Sequence, residues 1–237
     1  MRHFLPPALT ATALALACSA SVTLAQAAER TSVLLENVRI FDGKSDRLSS
    51  ASHVLVVDNK IKIVSTSPIG VPEGTHLTTI DGGGRTLMPG LIDAHWHALM
   101  VRPTVTELLT SDVGYLNLAA AAESTDTLMR GFTTVRDVGG PAFALKRAID
   151  EGTIVGPRIY PSGAMITVTG GHGDFRMPTD IPAGPGDFTY GERIGATAIA
   201  DSPDMVRKRA REQLALGASQ LKLMAGGGVS SATPLKR

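Results

Sequence analysis

From residue 87 to residue 97 the chain reads Leu-Met-Pro-Gly-Leu-Ile-Asp-Ala-His-Trp-His, a short apolar run between a Pro-Gly break and two histidines. Side chains alternate between the two faces of a β-strand, so His95 and His97 should share a face with Asp93, while Trp96 faces the other way. Two imidazoles at this spacing can bind one metal ion at the open end of a strand. Two polar residues on the solvated face of a strand would give the same pattern, and short motifs often match by chance.

The composition is that of an ordinary globular protein. The chain has 237 residues, of which 43% are hydrophobic and 19% charged, enough for one large domain or two small ones. Aromatic residues make up only 4%, so the core has to be built from aliphatic side chains. Long basic runs and interleaved aromatic and basic residues are missing, and nothing in the sequence therefore predicts nucleic-acid binding.

The first 27 residues have the three parts of a secretory signal peptide. A positively charged start precedes an apolar segment over residues 8–24, and Ala25-Gln26-Ala27 is a small-x-small cleavage site. We predict cleavage before Ala28 or close by, a periplasmic or secreted protein, and no membrane contact after cleavage. A transmembrane anchor is the alternative, but the apolar segment is short and broken by Thr and Ser. Cleavage would remove Cys18, the only cysteine, so a metal site has to use His, Asp, Glu or a modified side chain.

Residues 28–87 are predicted to form a small β-sheet layer. Strand-like runs cover residues 33–41, 53–57, 61–64 and 75–80, and they are separated or closed by turns rich in Asp, Asn and Gly. The second and third runs should pair as a hairpin. A sheet of this size buries too little surface to hold a large core by itself.

The chain after residue 87 changes to alternating strands and helices. The predicted order is strand 92–97, helix within 104–129, strand 133–138, helix 143–151, strand 158–163, a long Gly- and Pro-rich loop to about residue 200, helix 203–216 and strand 220–224. Consecutive β-α units imply a parallel sheet with right-handed crossovers. Functional groups in such folds lie at the carboxyl ends of the strands, where His95, His97, Asp137 and Lys222 are expected.

Four motifs, in this order, resemble the amidohydrolase superfamily of metal-dependent hydrolases. They are Met88–His97, Gly131–Gly140, Thr169–Asp174 and Lys222–Gly228. The last two are most similar to the branch of Xaa-Pro dipeptidase-like and Xaa-Arg/Lys dipeptidase-like enzymes, with imidazolonepropionase as a more distant relative. The resemblance implies an α/β fold, the N-terminal half of a (β/α)8 TIM barrel preceded by a small β-sandwich segment. Residues 28–87 would be the partial sandwich, and residues 88–237 the first four β-α units of the barrel.

The resemblance also implies roles for single residues. His95 and His97 match ligands of the more buried metal of the family, usually zinc. His172, in the Gly-rich loop after the third strand, matches a substrate-binding residue that holds a carboxylate or the tetrahedral intermediate. A loop histidine that is simply solvated is the alternative. Arg176 is the candidate to assist His172.

Lys222 matches the lysine of the fourth strand that CO2 converts to a carboxylysine bridging two metals. Its neighbours Leu221 and Leu223 should face the helices while Lys222 points into the barrel. A buried ammonium there is costly unless it is paired or neutralised. The alternative is a structural lysine that pairs with Asp93 or Asp137.

A complete barrel takes about 250 residues, more than this chain has in all. The histidines of strands five and six and the aspartate of strand eight, the general base of the family, would follow residue 237. We therefore predict no catalytic general base in this chain and at most one partial zinc site, where the full-length family holds two zinc ions.

Two hypotheses about function follow from the resemblance. The first is a metal-dependent amidohydrolase that uses a metal-bound hydroxide to cleave carbon–nitrogen bonds in dipeptides or small amides. The second is a truncated, non-catalytic fragment of such an enzyme, without the histidines of the second metal and the catalytic aspartate. The sequence predicts a small-molecule or dipeptide substrate and leaves the oligomeric state open.

Overall fold

The computed structural model describes residues 31–71, 76–181, 184 and 186–227. The predicted signal peptide, residues 1–27, lies outside this described part. The chain divides into two compact units, residues 1–88 and 89–237. In the described part, no helix is long and apolar enough to cross a membrane.

The first unit is a five-stranded sheet. Its strands are β1 (Thr31–Ile40), β2 (Ser52–Val57), β3 (Lys60–Ser65), β4 (His76–Asp81) and β5 (Thr86–Leu87). The order is β3-β2-β1-β4, and β5 pairs with the far end of β1. The predicted hairpin is confirmed, because β2 and β3 pair antiparallel from Val57 opposite Lys60. The buried apolar side chains in the described part of this unit are Leu34, Val38, Val54 and Leu55, a small core as predicted.

The second unit starts with three parallel strands in the order β6-β7-β8. The elements are β6 (Leu91–Trp96), α1 (Val105–Thr110), α2 (Val113–Met129), β7 (Phe132–Asp137), α3 (Phe143–Asp150) and β8 (Arg158–Pro161). The predicted helical region thus consists of two helices. Thr104 starts α1 with a reciprocal cap to Glu107, and α2 is followed by Gly131 at a φ of 94°, a backbone conformation that glycine adopts without strain.

The predicted long loop up to residue 200 is wrong. It contains β9 (Met165–Thr167), a 3-10 turn at Pro178–Asp180, α4 (Tyr190–Arg193) and β10 (Thr197–Ile199). The strand β9 lies between β10 and β11 (Leu223–Met224), with both pairings parallel. These strands have two or three residues each, too few for an alternating pattern to show in the sequence. The predicted strand 220–224 is correspondingly reduced to β11, whereas α5 (Pro203–Ala215) forms as predicted.

The largest hydrophobic cluster lies between the β6-β7-β8 sheet and the helices α2 and α3. Leu116 and Ala120 of α2 and Leu145 of α3 are buried against Val135 and Ile159 of the sheet. Trp96 packs against the same cluster. The predicted α/β class is therefore confirmed, and the helix-facing side of β6 is the side that carries Trp96.

Candidate functional site

The two histidines of the opening segment lie at the carboxyl end of β6. His95 is the second-last residue of the strand and His97 follows it directly. Their ring centroids are 5.3 Å apart with an angle of 61° between the ring planes. Since Trp96 between them packs against the helices, the prediction that both histidines share the opposite face is confirmed.

His97 is held by the loop after β7. Its Nδ1 lies 3.4 Å from the carbonyl oxygen of Gly139. Burial lowers the pKa of His97, and the charges of His95, Lys222 and His172 lower it further, whereas the hydrogen bond with Gly139 opposes the shift. The side chains of His95, Lys222 and His172 are thus close enough to His97 for their charges to affect its pKa. The lowered pKa favours a neutral imidazole, the form that binds metal ions.

Lys222 directly precedes β11, and its carbonyl oxygen accepts a hydrogen bond from Ile166 N at 2.9 Å. The side chain is half-buried. The expectation that its neighbours pack against helices is wrong: Leu221 and Leu223 are 36% and 59% exposed, because β11 is short and pairs only with β9 in the described part of the chain.

Asp93 and Asp137, the two carboxylates that could pair with an unmodified Lys222, have other partners. Asp93 Oδ1 accepts a hydrogen bond from His95 N at 2.8 Å. Asp137 accepts hydrogen bonds from Ala98 N at 2.6 Å and from Gly139 N at 3.1 Å. Both carboxylates are thus used by the backbone around the two histidines.

The His172 loop is fastened to the segment that follows Lys222. His172 N donates a hydrogen bond to the carbonyl oxygen of Gly226 at 3.1 Å, and the His172 ring meets Phe175 edge-on with centroids 6.3 Å apart. Gly173 packs closely against β11, because a Cβ there would lie 2.8 Å from Met224 Sδ. The loop therefore holds His172 close to the end of β11.

Arg176 is engaged within this loop. Its Nε lies 2.8 Å from Asp174 Oδ1, and the two side chains are only 17% and 1% exposed. The hydrogen bond to Asp174 raises the pKa of Arg176. Asp174 also accepts a hydrogen bond from Gly170 N at 2.7 Å. The observed role of Arg176 is to brace the loop, and its predicted contact with a substrate stays a prediction.

The sequence placed Asp137 at the functional end of its strand but did not reveal its environment. It ends β7 and is fully buried. Burial raises its pKa to about 7, although the hydrogen bonds from Ala98 and Gly139 act in the opposite direction. An aspartate placed between a buried strand and a Gly-Gly pair was the available signal, but nothing local indicates that its partner is Ala98, 39 positions earlier.

His95, His97 and Lys222 together could form part of a metal site. In the described residues, no three His, Cys, Asp or Glu side chains form a group that could hold a metal ion. His95 and His97 supply an imidazole pair on one face, and Lys222 lies near enough for its charge to lower the pKa of His97. An unmodified lysine repels a cation, whereas a carboxylated one would add anionic oxygens to the pair.

Several known proteins are similar to this chain in sequence and in fold. Residues 86–235 match the sequence model described as the amidohydrolase family. Ochratoxinase from Aspergillus niger is 33% identical over 205 residues, which cover 81% of this chain and 42% of ochratoxinase. Among solved structures, a prolidase complexed with N-methylphosphonate-L-proline is 34% identical with a TM-score of 0.73, and the match covers 86% of this chain and 49% of the prolidase. A Xaa-Pro dipeptidase with bound methionine is 28% identical with a TM-score of 0.67, over 84% of this chain and 48% of the dipeptidase. The chain spans about half the length of these relatives or less.

Proposed function

This chain belongs to the amidohydrolase family, and from this premise we propose that it carries the metal-binding and substrate-orienting part of a hydrolase site for carbon–nitrogen bonds. The proposed substrates are dipeptides or other small amides. The observation that carries the proposal is the His95–His97 pair, with ring centroids 5.3 Å apart at the carboxyl end of β6. The placement of Lys222 and His172 near His97 supports the same site.

The proposed fold of the second unit is the first half of a (β/α)8 barrel, and residues 28–87 are proposed to be part of a β-sandwich. The parallel order β6-β7-β8 and the parallel pairing of β9 with β11 support it. In such a barrel the functional groups lie at the carboxyl ends of the strands. His95, His97 and His172 all occupy such positions, since His172 lies in the loop after β9.

The proposed metal is zinc, because an imidazole pair suits it. A bound divalent ion would supply Lewis-acid polarisation of the amide carbonyl. His97 would bind through Nε2, because the contact of its Nδ1 with the Gly139 carbonyl places the proton on Nδ1. His95 would bind through a ring nitrogen on the same face, and a carboxylated Lys222 would add oxygen donors.

His172 is the proposed substrate-orienting residue. Its backbone N–H is bonded to Gly226 and its ring lies edge-on against Phe175, and both contacts favour one orientation of the imidazole before a substrate arrives. A histidine in this position can donate a hydrogen bond to a substrate carboxylate or to oxygen that becomes negative during the reaction. The proline-containing phosphonate bound by the prolidase relative and the amide nature of dipeptides support this class of substrate.

Zinc calorimetry and a hydrolysis panel test the proposal. The purified chain is titrated with Zn2+ in bicarbonate buffer and then assayed with Ala-Pro, Ala-Arg and Ala-Lys. We expect zinc binding that disappears when His95 and His97 are replaced by Ala, and any turnover should disappear with it. His76→Ala, an exposed histidine of β4, is the matched control. Zinc binding unaffected by the double replacement would contradict the site, and turnover that persists in the double variant would contradict the assignment of the reaction to it.

A further inference from the structure

Asp137 touches neither of the two histidines, yet three sets of hydrogen bonds join it to the segments that carry the site. We propose that Asp137 is a positioning residue, whose carboxylate fixes the orientation and the tautomer of the His97 imidazole and whose backbone carbonyl ties the end of β7 to the segment that leads to Lys222. The proposal rests on the proposed function in that His97 is taken as a metal-binding imidazole.

The first set of hydrogen bonds fixes the backbone on both sides of His97. Asp137 pairs with Trp96 across β6 and β7, and Val138 N donates to the carbonyl oxygen of Trp96 at 2.8 Å. The carboxylate then reaches past this pair and accepts the hydrogen bond of Ala98 N at 2.6 Å. The peptide groups before and after His97 are therefore both held by the end of β7.

The second set fixes the ring of His97. Asp137 Oδ1 accepts a hydrogen bond from Gly139 N at 3.1 Å, which fixes the peptide group directly before the Gly139 carbonyl. The carbonyl oxygen of Gly139 lies 3.4 Å from His97 Nδ1. A carbonyl oxygen can only accept, so this contact requires the proton on Nδ1 and leaves the lone pair on Nε2. The approach is close, because a Cβ on Gly139 would lie 3.1 Å from His97 Nδ1.

The third set connects the end of β7 to the segment that leads to Lys222. The backbone carbonyl of Asp137 accepts hydrogen bonds from Ser162 N at 2.9 Å and from Gln220 Nε2 at 3.1 Å. Gln220 also donates to the carbonyl oxygen of Tyr160 at 2.9 Å, and it stands two positions before Lys222. These bonds use the backbone of position 137, so they stay in side-chain variants, and they relate the end of β7 to the segment that leads into β11.

A buried carboxylate could also serve stability alone, and the two roles differ in what they predict. A stabilising role lowers the melting temperature of a variant but leaves the His97 tautomer unchanged in the molecules that fold. A positioning role changes the tautomer and the metal affinity in the folded variant. Partners that orient metal-binding histidines typically alter metal affinity about 10–100-fold.

The first test needs no variant and no metal. Imidazole 15N NMR of the purified chain, at a pH where His97 is neutral, reports the tautomer directly, and a His97→Gln variant assigns the signal. We expect the Nδ1–H tautomer for His97. The Nε2–H tautomer would overturn the proposal, whatever metal the protein binds.

The second test compares Asp137→Ala and Asp137→Asn with Asp174→Asn. Asp174 is another buried carboxylate, which accepts a backbone hydrogen bond and pairs with Arg176 in another loop, so it is the control. We expect Asp137→Ala to lose the Nδ1–H preference and to bind Co2+ about 10–100-fold more weakly, with a smaller loss for Asp137→Asn, which keeps one acceptor oxygen and the shape of the side chain. Asp174→Asn should stay within about two-fold of the wild type.

The outcomes separate the proposal from the proposed function. Folded Asp137 variants that keep the tautomer and the Co2+ affinity would overturn the positioning role, and so would an equal loss in Asp174→Asn. If Asp137→Ala does not fold, the isosteric Asp137→Asn decides. If the wild type binds no Co2+ through its histidines, the proposed function fails, and the tautomers alone decide the role of Asp137.

Discussion

Replacing Asp137 with Asn should abolish a loss of stability that the wild type suffers as the pH rises. Burial raises the pKa of Asp137 from 3.8 to about 7 in the folded chain, whereas the unfolded chain keeps the ordinary value. The folded state therefore binds more protons between about pH 4 and pH 7, and its stability falls with rising pH across that window. A shift of roughly three pKa units, at about 1.4 kcal/mol each, corresponds to an upper limit of about 4 kcal/mol.

Urea unfolding at pH 4, 5.5, 7 and 8 measures this loss through the fluorescence of the single tryptophan, Trp96, which lies next to the site. The quantity to compare is the free energy of unfolding of the wild type minus that of Asp137→Asn, because other titrating groups cancel in the difference. We expect this difference to fall by up to about 4 kcal/mol from pH 4 to pH 7 and to level off above.

Asp201→Asn provides a control of opposite sign. Hydrogen bonds from the backbone and side chain of Thr169 lower the pKa of Asp201, so its carboxylate stabilises the fold above its ordinary pKa and this stabilisation is lost on acidification. A difference between the wild type and Asp137→Asn that stays constant from pH 4 to pH 7 would refute the raised pKa.

Three further predictions concern the hydrophobic core, Lys222 and the signal peptide. Leu116→Ala should lower the free energy of unfolding by about 2–5 kcal/mol, because Leu116 is 1% exposed. Leu118 is 73% exposed, so Leu118→Ala should change this free energy by less than about 0.5 kcal/mol in the same urea titration. Lys222→Arg should remove a carbamate signal that 13C-bicarbonate gives in 13C NMR of the zinc-loaded chain; a signal that persists would place the carbamate elsewhere. Expression in a bacterial host should export the protein with a new N-terminus at Ala28 or close by, as read by N-terminal sequencing, and Ala27→Arg should block this cleavage.

The elements that local sequence signals determine were predictable. The β2–β3 hairpin has its turn residues between two alternating runs, and the two runs pair antiparallel as predicted, with Val57 opposite Lys60. Helix α5 likewise begins after Ser202, whose side chain accepts a hydrogen bond from Met205 N, and Pro203 stands at its first position. Such signals lie within a few residues of each other, so the sequence alone carries them.

The strands β9 and β10 were missed because distant contacts stabilise them. Ile166 and Ala198 of these strands are buried in a cluster against Val206 and Ala210 of α5. Each strand has only three residues, and they lie in a segment whose glycines and prolines predict a loop. Tertiary packing overrides the local signal here.

In the candidate site, too, local features were predictable and features that depend on distant contacts were not. The alternation of side chains along β6 predicted correctly that His95 and His97 share a face, and the structure adds the Trp96 contact that fixes this register. The environment of His97 was not predictable, since Asp137 and Gly139 act on it through hydrogen bonds that span about 40 residues. A carboxylate can be recognised in a sequence, but its backbone partner cannot.

X-ray absorption spectroscopy of the zinc-loaded chain tests most directly whether His95 and His97 form the metal-binding pair. We predict two nitrogen donors at about 2.0–2.1 Å from zinc, with the multiple scattering typical of imidazole rings. His95→Ala and His97→Ala should each remove one ring from the signal. A zinc shell made of oxygen alone, or one that keeps both rings in these variants, would contradict the account.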